Sequence, residues 1–149
     1  MRTLDKRNNP AKSAGPRHFG ALEGQQYASL STFRKSGEAV ASPVWFAETE
    51  NRLYVMTIDG TGKVKRIQNN PSVTLSPCDF RGRLLGGAVG GWARMLSEER
   101  DERRADRALA GKYGFRYRAF GAARNVISRR AKRVFVEIAS PDTPETLNG

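Results

Sequence analysis

The sequence predicts a mainly β fold with a few helices, built as a small antiparallel barrel of six strands. The first observation is the short spacing of strand-like runs, which are separated by glycine, serine and asparagine turns. The second is that helical patterns are confined to one short segment in mid-chain and to the region after residue 97. With 149 residues the chain has the size of one domain. We expect a flexible basic arm over residues 1–19, the barrel over 20–140 and a tail over 141–149.

The strands are predicted from alternating apolar residues and from the turns between them. A Ser-Gly turn separates the first two strands, and Gly90 and Gly91 weaken the fifth. The six predicted strands are SLSTF (29–33), AVASPVWF (39–46), RLYVMTI (52–58), SVTLSPC (72–78), AVGGWARML (88–96) and KRVFVEIA (132–139).

Helices are predicted where apolar residues recur at helical spacing. Val64 and Ile67 give residues 62–69 one apolar edge, and Pro71 ends that helix. A second helix over 97–111 has Ser97 as its predicted N-cap and acidic residues in its first turn, and it ends at Gly111 or Gly114. A further helix is predicted within 115–130.

Composition restricts the partners of this chain. The net charge of +11 and the isoelectric point of about 10.5 favour an anionic partner: nucleic acid, an anionic membrane surface or a charged cofactor. No apolar run is long enough for a membrane span, and the N-terminus lacks the apolar core of a secretory signal. One cysteine and one histidine exclude an internal disulfide framework and a His/Cys metal site. We therefore expect a cytoplasmic protein without a metal.

The stretch TIDGTGKVKRIQNNP, residues 57–71, combines hydroxyls, a glycine turn and cations where a strand meets a helix. Backbone amides at a helix start, with hydroxyls and ammonium groups beside them, bind phosphate well. Thr57 and Thr61 would donate hydroxyls, while Lys63, Lys65 or Arg66 would supply charge. A solvated basic helix face after an ordinary turn is the alternative. The stretch does not match the Walker loop.

The motifs PVWF (43–46), LYVMT (53–57), GKVKRIQNNPSVTLSPCDFRGR (62–83), KYGF (112–115) and VFVEI (134–138) together carry a resemblance to a known family. They resemble the pyridoxamine 5'-phosphate oxidase-like flavin and deazaflavin oxidoreductases, and most of all the enzymes that use coenzyme F420. The resemblance implies a split β-barrel that forms a homodimer, with the cofactor in a groove at the subunit interface.

The resemblance also implies a set of cofactor-binding positions. Phosphate contacts fall on the corner between the third strand and the first helix, and ring contacts fall on the second strand and on the end of the fourth. The implied cofactor-binding residues are Ser42, Pro43, Val44, Trp45, Thr57, Thr61, Gly62, Lys63, Lys65, Pro77 and Cys78. No catalytic residue is implied.

Charge favours F420 over flavin mononucleotide (FMN). F420 carries a tail of glutamates, so its negative charge extends far from the ring. Residues 112–133 contain eight Lys and Arg residues and no Asp or Glu. We expect part of this segment, including Arg129 and Arg130, to hold the tail. A basic surface that aids solubility or binds nucleic acid weakly is the alternative.

The chemistry expected from such a cofactor is hydride transfer to a small conjugated organic substrate. The protein then needs to align the two reactants and exclude water. Tyr27, Tyr113 and Tyr117 are candidate proton donors, but packing is the favoured explanation for each of them. Cys78 has no histidine beside it in the sequence and is not expected to be a nucleophile.

Three other functions stay open: an FMN-dependent oxidase or reductase, a cofactor carrier without turnover, and a nucleic-acid binder. The last has the least support, because the basic residues lack interleaved aromatics and no recognition-helix motif is present.

Overall fold

The computed structural model describes residues 15–49, 51–119 and 132–141. The N-terminal fourteen residues of the predicted arm, most of the predicted helix within 115–130 and nearly all of the C-terminal tail lie outside these ranges. The elements in chain order are a 3-10 helix at Gly15–Leu22, β1 (Tyr27–Phe33), β2 (Ala39–Val44), β3 (Phe46–Thr49), β4 (Arg52–Ile58), α1 (Gly62–Asn69), β5 (Ser72–Cys78), β6 (Val89–Met95), α2 (Glu99–Tyr113) and β7 (Arg133–Ala139). Across these residues, the structure contains no helix with the length and apolar content needed to cross a bilayer.

One antiparallel sheet contains all seven strands, in the order β2-β1-β5-β6-β7-β4-β3. The two strands at opposite ends of this order, β2 and β3, are joined in the chain by the single residue Trp45. Since consecutive Cα atoms lie only about 3.8 Å apart, the sheet has to curl until the end of β2 lies close to the start of β3, although the two strands do not pair. The result is a split barrel, which confirms the predicted mainly β fold class.

The described residues form seven strands instead of the predicted six. The run AVASPVWF was predicted as one strand, but its first part pairs with β1 and its end pairs with β4. Both parts have strand character, so the local sequence does not reveal that they have different neighbours. The chain changes partner at Trp45, two residues after Pro43, whose missing N–H suits an edge strand.

The barrel interior is a cluster of alternating strand residues. Leu30, Val55, Leu75 and Ile138 are at most 1% exposed and belong to this cluster. Phe19 and Leu22 from the 3-10 helix join it and are fully buried. Residues 15–19 were assigned to the flexible arm from sequence, and here they form the start of that helix.

The two helices lie where the sequence places them. Val64 and Ile67 of α1 are buried, as their spacing predicts. The longer helix, α2, packs Leu109 and its neighbours against residues of β3, β4 and β7 that alternate with the interior set. Its N-cap is Glu98, without a side-chain cap hydrogen bond, so the prediction of Ser97 was wrong by one residue. The helix ends at Gly114, where φ is 63°, and residues 115–119 are again helical.

The glycine pair in β6 includes one position that requires glycine. A Cβ on Gly91 would lie 2.6 Å from Ile138 Cγ2 and 3.3 Å from the Ala139 carbonyl oxygen. We therefore expect Gly91→Ala to lower the free energy of unfolding by about 1–3 kcal/mol, because the added methyl group overpacks the β6–β7 contact. The measurement is urea denaturation followed by circular dichroism.

Gly90→Ala is the matched control for this prediction. The nearest atom to a Cβ on Gly90 is the Val73 carbonyl oxygen at 3.9 Å, an ordinary contact. We expect this variant to unfold within about 0.5 kcal/mol of the parent. Equal denaturation midpoints for the two variants would show that the close approach of β6 to β7 at Gly91 does not determine the loss of stability.

Candidate functional site

A groove of about 450 Å³ lies where β2 and β4 end and α1 begins. This volume is within the usual range for small-molecule sites. Its walls come from the start of β1, the β2–β3 junction, the end of β4, the corner before α1 and the loop after β5. The lining residues are Tyr27, Pro43, Val44, Trp45, Met56, Thr57, Ile58, Thr61, Lys63 and Phe80.

Thr61 at the start of α1 carries an unsatisfied polar atom. It is the N-cap residue, but its side chain makes no capping hydrogen bond. Its Oγ1 is buried and has no hydrogen-bond partner among the residues that the structure describes. The first N–H groups of a helix also lack intrahelical partners. This corner of the groove therefore has donors that a bound anion could use.

Lys63 supplies a partly desolvated cation at the same corner. Burial lowers the pKa of its ammonium group, and the nearby Arg66 guanidinium lowers the pKa further. Arg66 itself donates from Nε to Thr32 Oγ1 at 2.7 Å. Its guanidinium lies over Gly62, where an added Cβ would be only 2.6 Å from a guanidinium nitrogen. Two cations held close together favour an anionic ligand.

The other wall of the groove is apolar and aromatic. Val44 and Met56 are 7% and 9% exposed, and Trp45 is half-buried. The Trp45 ring stacks on Tyr113 of α2, with centroids 4.6 Å apart and an interplanar angle of 16°. A planar ligand that enters the groove would meet this wall at one end and the Thr61–Lys63 corner at the other.

The Tyr113 hydroxyl holds the chain where it passes from β2 to β3. It accepts a hydrogen bond from the Phe46 N–H at 2.9 Å. The carbonyl oxygens of Phe46 and Gln26 both lie 2.8 Å from it, and its single proton can serve either one. Burial raises the pKa of Tyr113 to about 12, so the proton stays in place at neutral pH. Tyr113 thus fixes the backbone next to Trp45 and supports its ring.

We expect Tyr113→Phe to destabilise the protein by about 1–3 kcal/mol, because it leaves the buried Phe46 N–H without an acceptor. The stacked ring remains, so the variant isolates the hydroxyl. Chemical denaturation gives the stability, and tryptophan emission reports any change around Trp45.

Tyr54→Phe is the control for the emission measurement. Its hydroxyl donates to Glu137 Oε2 at 3.3 Å. This variant should change stability without changing the emission of Trp45. The positioning role of Tyr113 would be contradicted if both variants shifted the emission equally, or if neither did.

The structure brings six of the eleven predicted site residues onto the groove: Pro43, Val44, Trp45, Thr57, Thr61 and Lys63. The remaining five do not line it. Gly62 is adjacent but exposed, and Lys65 is exposed on α1. Ser42 is half-buried and precedes the lining part of β2.

Pro77 and Cys78 are buried in β5, where Cys78 lies opposite Tyr27 of β1. Tyr27 lines the groove in their place. Burial, followed by the Asp79 charge, raises the pKa of the Cys78 thiol, which disfavours a nucleophilic thiolate at neutral pH.

Sequence reasoning did not assign Met56, Ile58 and Phe80 to the site, and it considered Tyr27 only as a proton donor. Met56 and Ile58 flank Thr57 in β4, so their proximity was visible in the sequence. Phe80 comes from the loop after β5, and no local signal places it beside β4. Of the other two tyrosines considered as donors, Tyr113 bonds to backbone. The Tyr117 hydroxyl donates to Asp106 at 2.6 Å, and burial raises its pKa.

Comparison with protein families gives one match, to the family model described as pyridoxamine 5'-phosphate oxidase, over residues 16–140. This chain belongs to the pyridoxamine 5'-phosphate oxidase family. A comparison with curated proteins finds no match. The family match spans every strand of the barrel, together with the groove.

Solved structures with the same fold include an F420 reductase, an FAD-binding protein and a heme storage protein. An F420 reductase is 18% identical with a TM-score of 0.51, over 81% of this chain and 90% of that one. An FAD-binding protein from Mesorhizobium loti is 17% identical with a TM-score of 0.56, over 83% and 84%. The heme storage protein HutZ from Vibrio cholerae is 10% identical with a TM-score of 0.62, over 86% and 90%. At these identities the similarity shows the fold, which is that of flavin- and F420-binding members of the family.

Proposed function

We propose that this family member is an oxidoreductase that uses coenzyme F420 to transfer hydride to or from a small conjugated organic substrate. The observation that carries the proposal is the Thr61–Lys63 corner. There an unsatisfied hydroxyl and a partly desolvated cation lie at one end of a groove whose other wall is apolar. That pattern suits a ligand with a planar ring and a phosphate.

The groove residues fit such a coenzyme by their chemistry. Thr61, Lys63 and the first amides of α1 would hold the phosphate, while Val44 and Trp45 would hold the ring. When bound, F420 supplies a hydride from its ring system. The apolar wall residues would exclude water from the ring, and Trp45, supported by Tyr113, would orient it. The chain's own contribution is therefore positioning and phosphate binding.

We further propose that the active form is a homodimer. Phe80, Leu84 and Leu85, in the loop after β5, are 64%, 59% and 57% exposed, and Phe80 also lines the groove. A second copy packed on this loop would cover the apolar side chains and close the groove. Sedimentation equilibrium tests this proposal, and a monomer mass at micromolar concentration would contradict it.

F420 is favoured over FMN by the basic segment that follows α2. Arg116 and Arg118 are exposed, and Lys112 is half-buried at the end of α2. Arg129 and Arg130, also expected to contact the glutamate tail, lie outside the described residues. Replacing both with serine should weaken binding of long-tailed F420 more than that of a tail-less analogue. Equal losses for the two ligands would reject the role in tail binding.

The experiment that tests the proposed function is titration of the purified protein with F420 and with FMN, followed by ligand fluorescence. Micromolar or tighter binding of F420, with weaker binding of FMN, supports the proposal. Reduced F420 is then supplied with a panel of enones and quinones, and its loss of absorbance reports hydride transfer. Preference for FMN would indicate a flavin-dependent oxidase or reductase. Binding of either coenzyme without turnover of any acceptor would indicate a carrier.

A further inference from the structure

A second cavity, of about 400 Å³, lies on the other side of the β2–β3 junction, between the 3-10 helix, β3 and α2. Its apolar lining includes Leu22, Phe46, Ala47 and Ala108, and its polar lining is Glu23, Glu48 and Lys112. Trp45 faces the coenzyme groove, while the next residue, Phe46, faces this cavity. No described residue lines both this cavity and the coenzyme groove, so the cavity is separate from the proposed ring and phosphate site. Lys112 also belongs to the 112–133 segment proposed to hold the F420 tail, and its chemistry is considered in the protein without F420.

Lys112 is the nucleophilic group in this cavity. Its Nζ lies 3.5 Å from the centroid of the Phe46 ring and 5.2 Å from that of Tyr113. Phe46 is only 1% exposed, so the ammonium group rests on a dry aromatic surface. A lysine held in apolar surroundings loses part of the hydration that stabilises its charge.

Two carboxylates line the cavity together with Lys112. Glu48 of β3 and Glu23, just after the 3-10 helix, line the cavity. Burial lowers the pKa of Lys112 to about 8, and the Glu48 charge acts in the opposite direction. At pH 7 roughly one Lys112 side chain in ten would then be an uncharged amine, far more than for an ordinary lysine.

We propose that Lys112 is a covalent site for carbonyl compounds, which binds a small, uncharged, largely apolar aldehyde as an imine in the second cavity. The uncharged amine adds its electron pair to the carbonyl carbon and forms a C–N bond. The carbonyl double bond opens, and the two protons of the amine nitrogen move to the oxygen, which is first a hydroxyl group and then leaves as water when the carbon–nitrogen double bond forms. No redox partner is needed for this step.

The lining selects the class of ligand. Leu22, Phe46, Ala47 and Ala108 provide apolar contacts for the aldehyde substituent. Glu23 and Glu48 disfavour a ligand that carries its own carboxylate. A protonated imine keeps the single positive charge of Lys112, so the favourable interactions with Glu48 and the Phe46 ring are retained.

The test uses the wild-type protein, benzaldehyde as the probe and sodium cyanoborohydride to reduce the imine to a stable amine. Peptide mass spectrometry then gives the rate of modification of each lysine. We expect Lys112 to be modified at least tenfold faster at pH 7 than the exposed Lys35 and Lys65. The ratio of the Lys112 rate to the rates of the exposed lysines should decrease towards pH 10, where exposed lysines also lose their protons. Equal rates at pH 7 would overturn the proposal.

Two comparisons distinguish binding of the aldehyde in the cavity from high reactivity of the Lys112 amine alone. Glyoxylate, an aldehyde with a carboxylate, should show at least a fivefold smaller preference for Lys112 than benzaldehyde does. Ala108→Leu, which fills part of the cavity, should slow the modification of Lys112 by benzaldehyde at least fivefold, whereas its modification by formaldehyde should be unaffected. Circular dichroism verifies that this variant is folded. Loss of both differences would overturn the assignment of the cavity as a binding site.

Discussion

Lys63→Gln should weaken coenzyme binding roughly 10- to 100-fold, because a charge-assisted contact to phosphate contributes about 1.5–3 kcal/mol. The substitution keeps most of the side-chain length and removes only the charge. Because Lys63 is half-buried at the groove, its contact with a phosphate would be screened less than that of a surface lysine. Fluorescence titration at constant ionic strength gives the dissociation constants.

Lys65→Gln is the matched control, since Lys65 lies on the same helix and is exposed. It removes the same charge from the protein but should change the affinity less than threefold. A similar loss for the two variants would mean that the coenzyme responds to overall charge and does not contact the corner.

The pH dependence of binding provides a second check on Lys63. Burial lowers its pKa below that of an ordinary lysine, so the free protein begins to lose this positive charge at a lower pH. A bound phosphate favours the charged form and raises the pKa again. Affinity should therefore fall on the alkaline side, starting below the usual lysine range, and binding there should take up a proton. In Lys63→Gln this part of the pH dependence should disappear.

Glu137→Ala should lower the free energy of unfolding by about 3 kcal/mol. Glu137 is 8% exposed, and its Oε1 lies 2.8 Å from Arg94 Nη2 and 3.6 Å from Arg52 Nη1. Tyr54 also donates its hydroxyl to this carboxylate. Removing the carboxylate leaves Arg52, whose side chain is only 19% exposed, without this partner, and breaking a buried pair has a large cost. Thermal and urea denaturation measure the effect.

Glu38→Ala is the comparison for a surface pair. Glu38 pairs with Arg34 at 3.2 Å, but the two side chains are 71% and 55% exposed. We expect a change below about 0.5 kcal/mol. If the two variants lost equal stability, burial would not be what gives the Glu137 pair its strength.

Much of the fold could be predicted from local sequence. The bounds of β4, α1 and β5 match the predicted ranges, because turn glycines and Pro71 mark their ends directly. The division of AVASPVWF into two strands could not be predicted, because it depends on pairing with β1 and β4, which are distant partners. The 3-10 helix was missed because its sequence, GPRHFGAL, begins with Gly and Pro, which are typical of turns.

For the site, too, residues that are close in sequence could be predicted, and residues that only the fold brings together could not. Thr57, Thr61 and Lys63 are close in sequence, so the corner could be recognised before the fold was known. Phe80 reaches the groove only because the sheet curls. Lys65 was predicted by its charge and by the family resemblance, but helical geometry turns it to solvent. Pro77 and Cys78 were implied by the family resemblance, and in this chain their burial keeps them off the groove.

The single residue between β2 and β3 has a consequence for motion. Most barrels can loosen at a seam because a loop of several residues absorbs the displacement. Here the single residue Trp45 cannot absorb such a displacement, so a shift of one edge strand has to be transmitted to the other. Hydrogen exchange should therefore slow together in Ala39–Val44 and Phe46–Thr49 when a ligand contacts Trp45, although these strands lie at opposite ends of the sheet order.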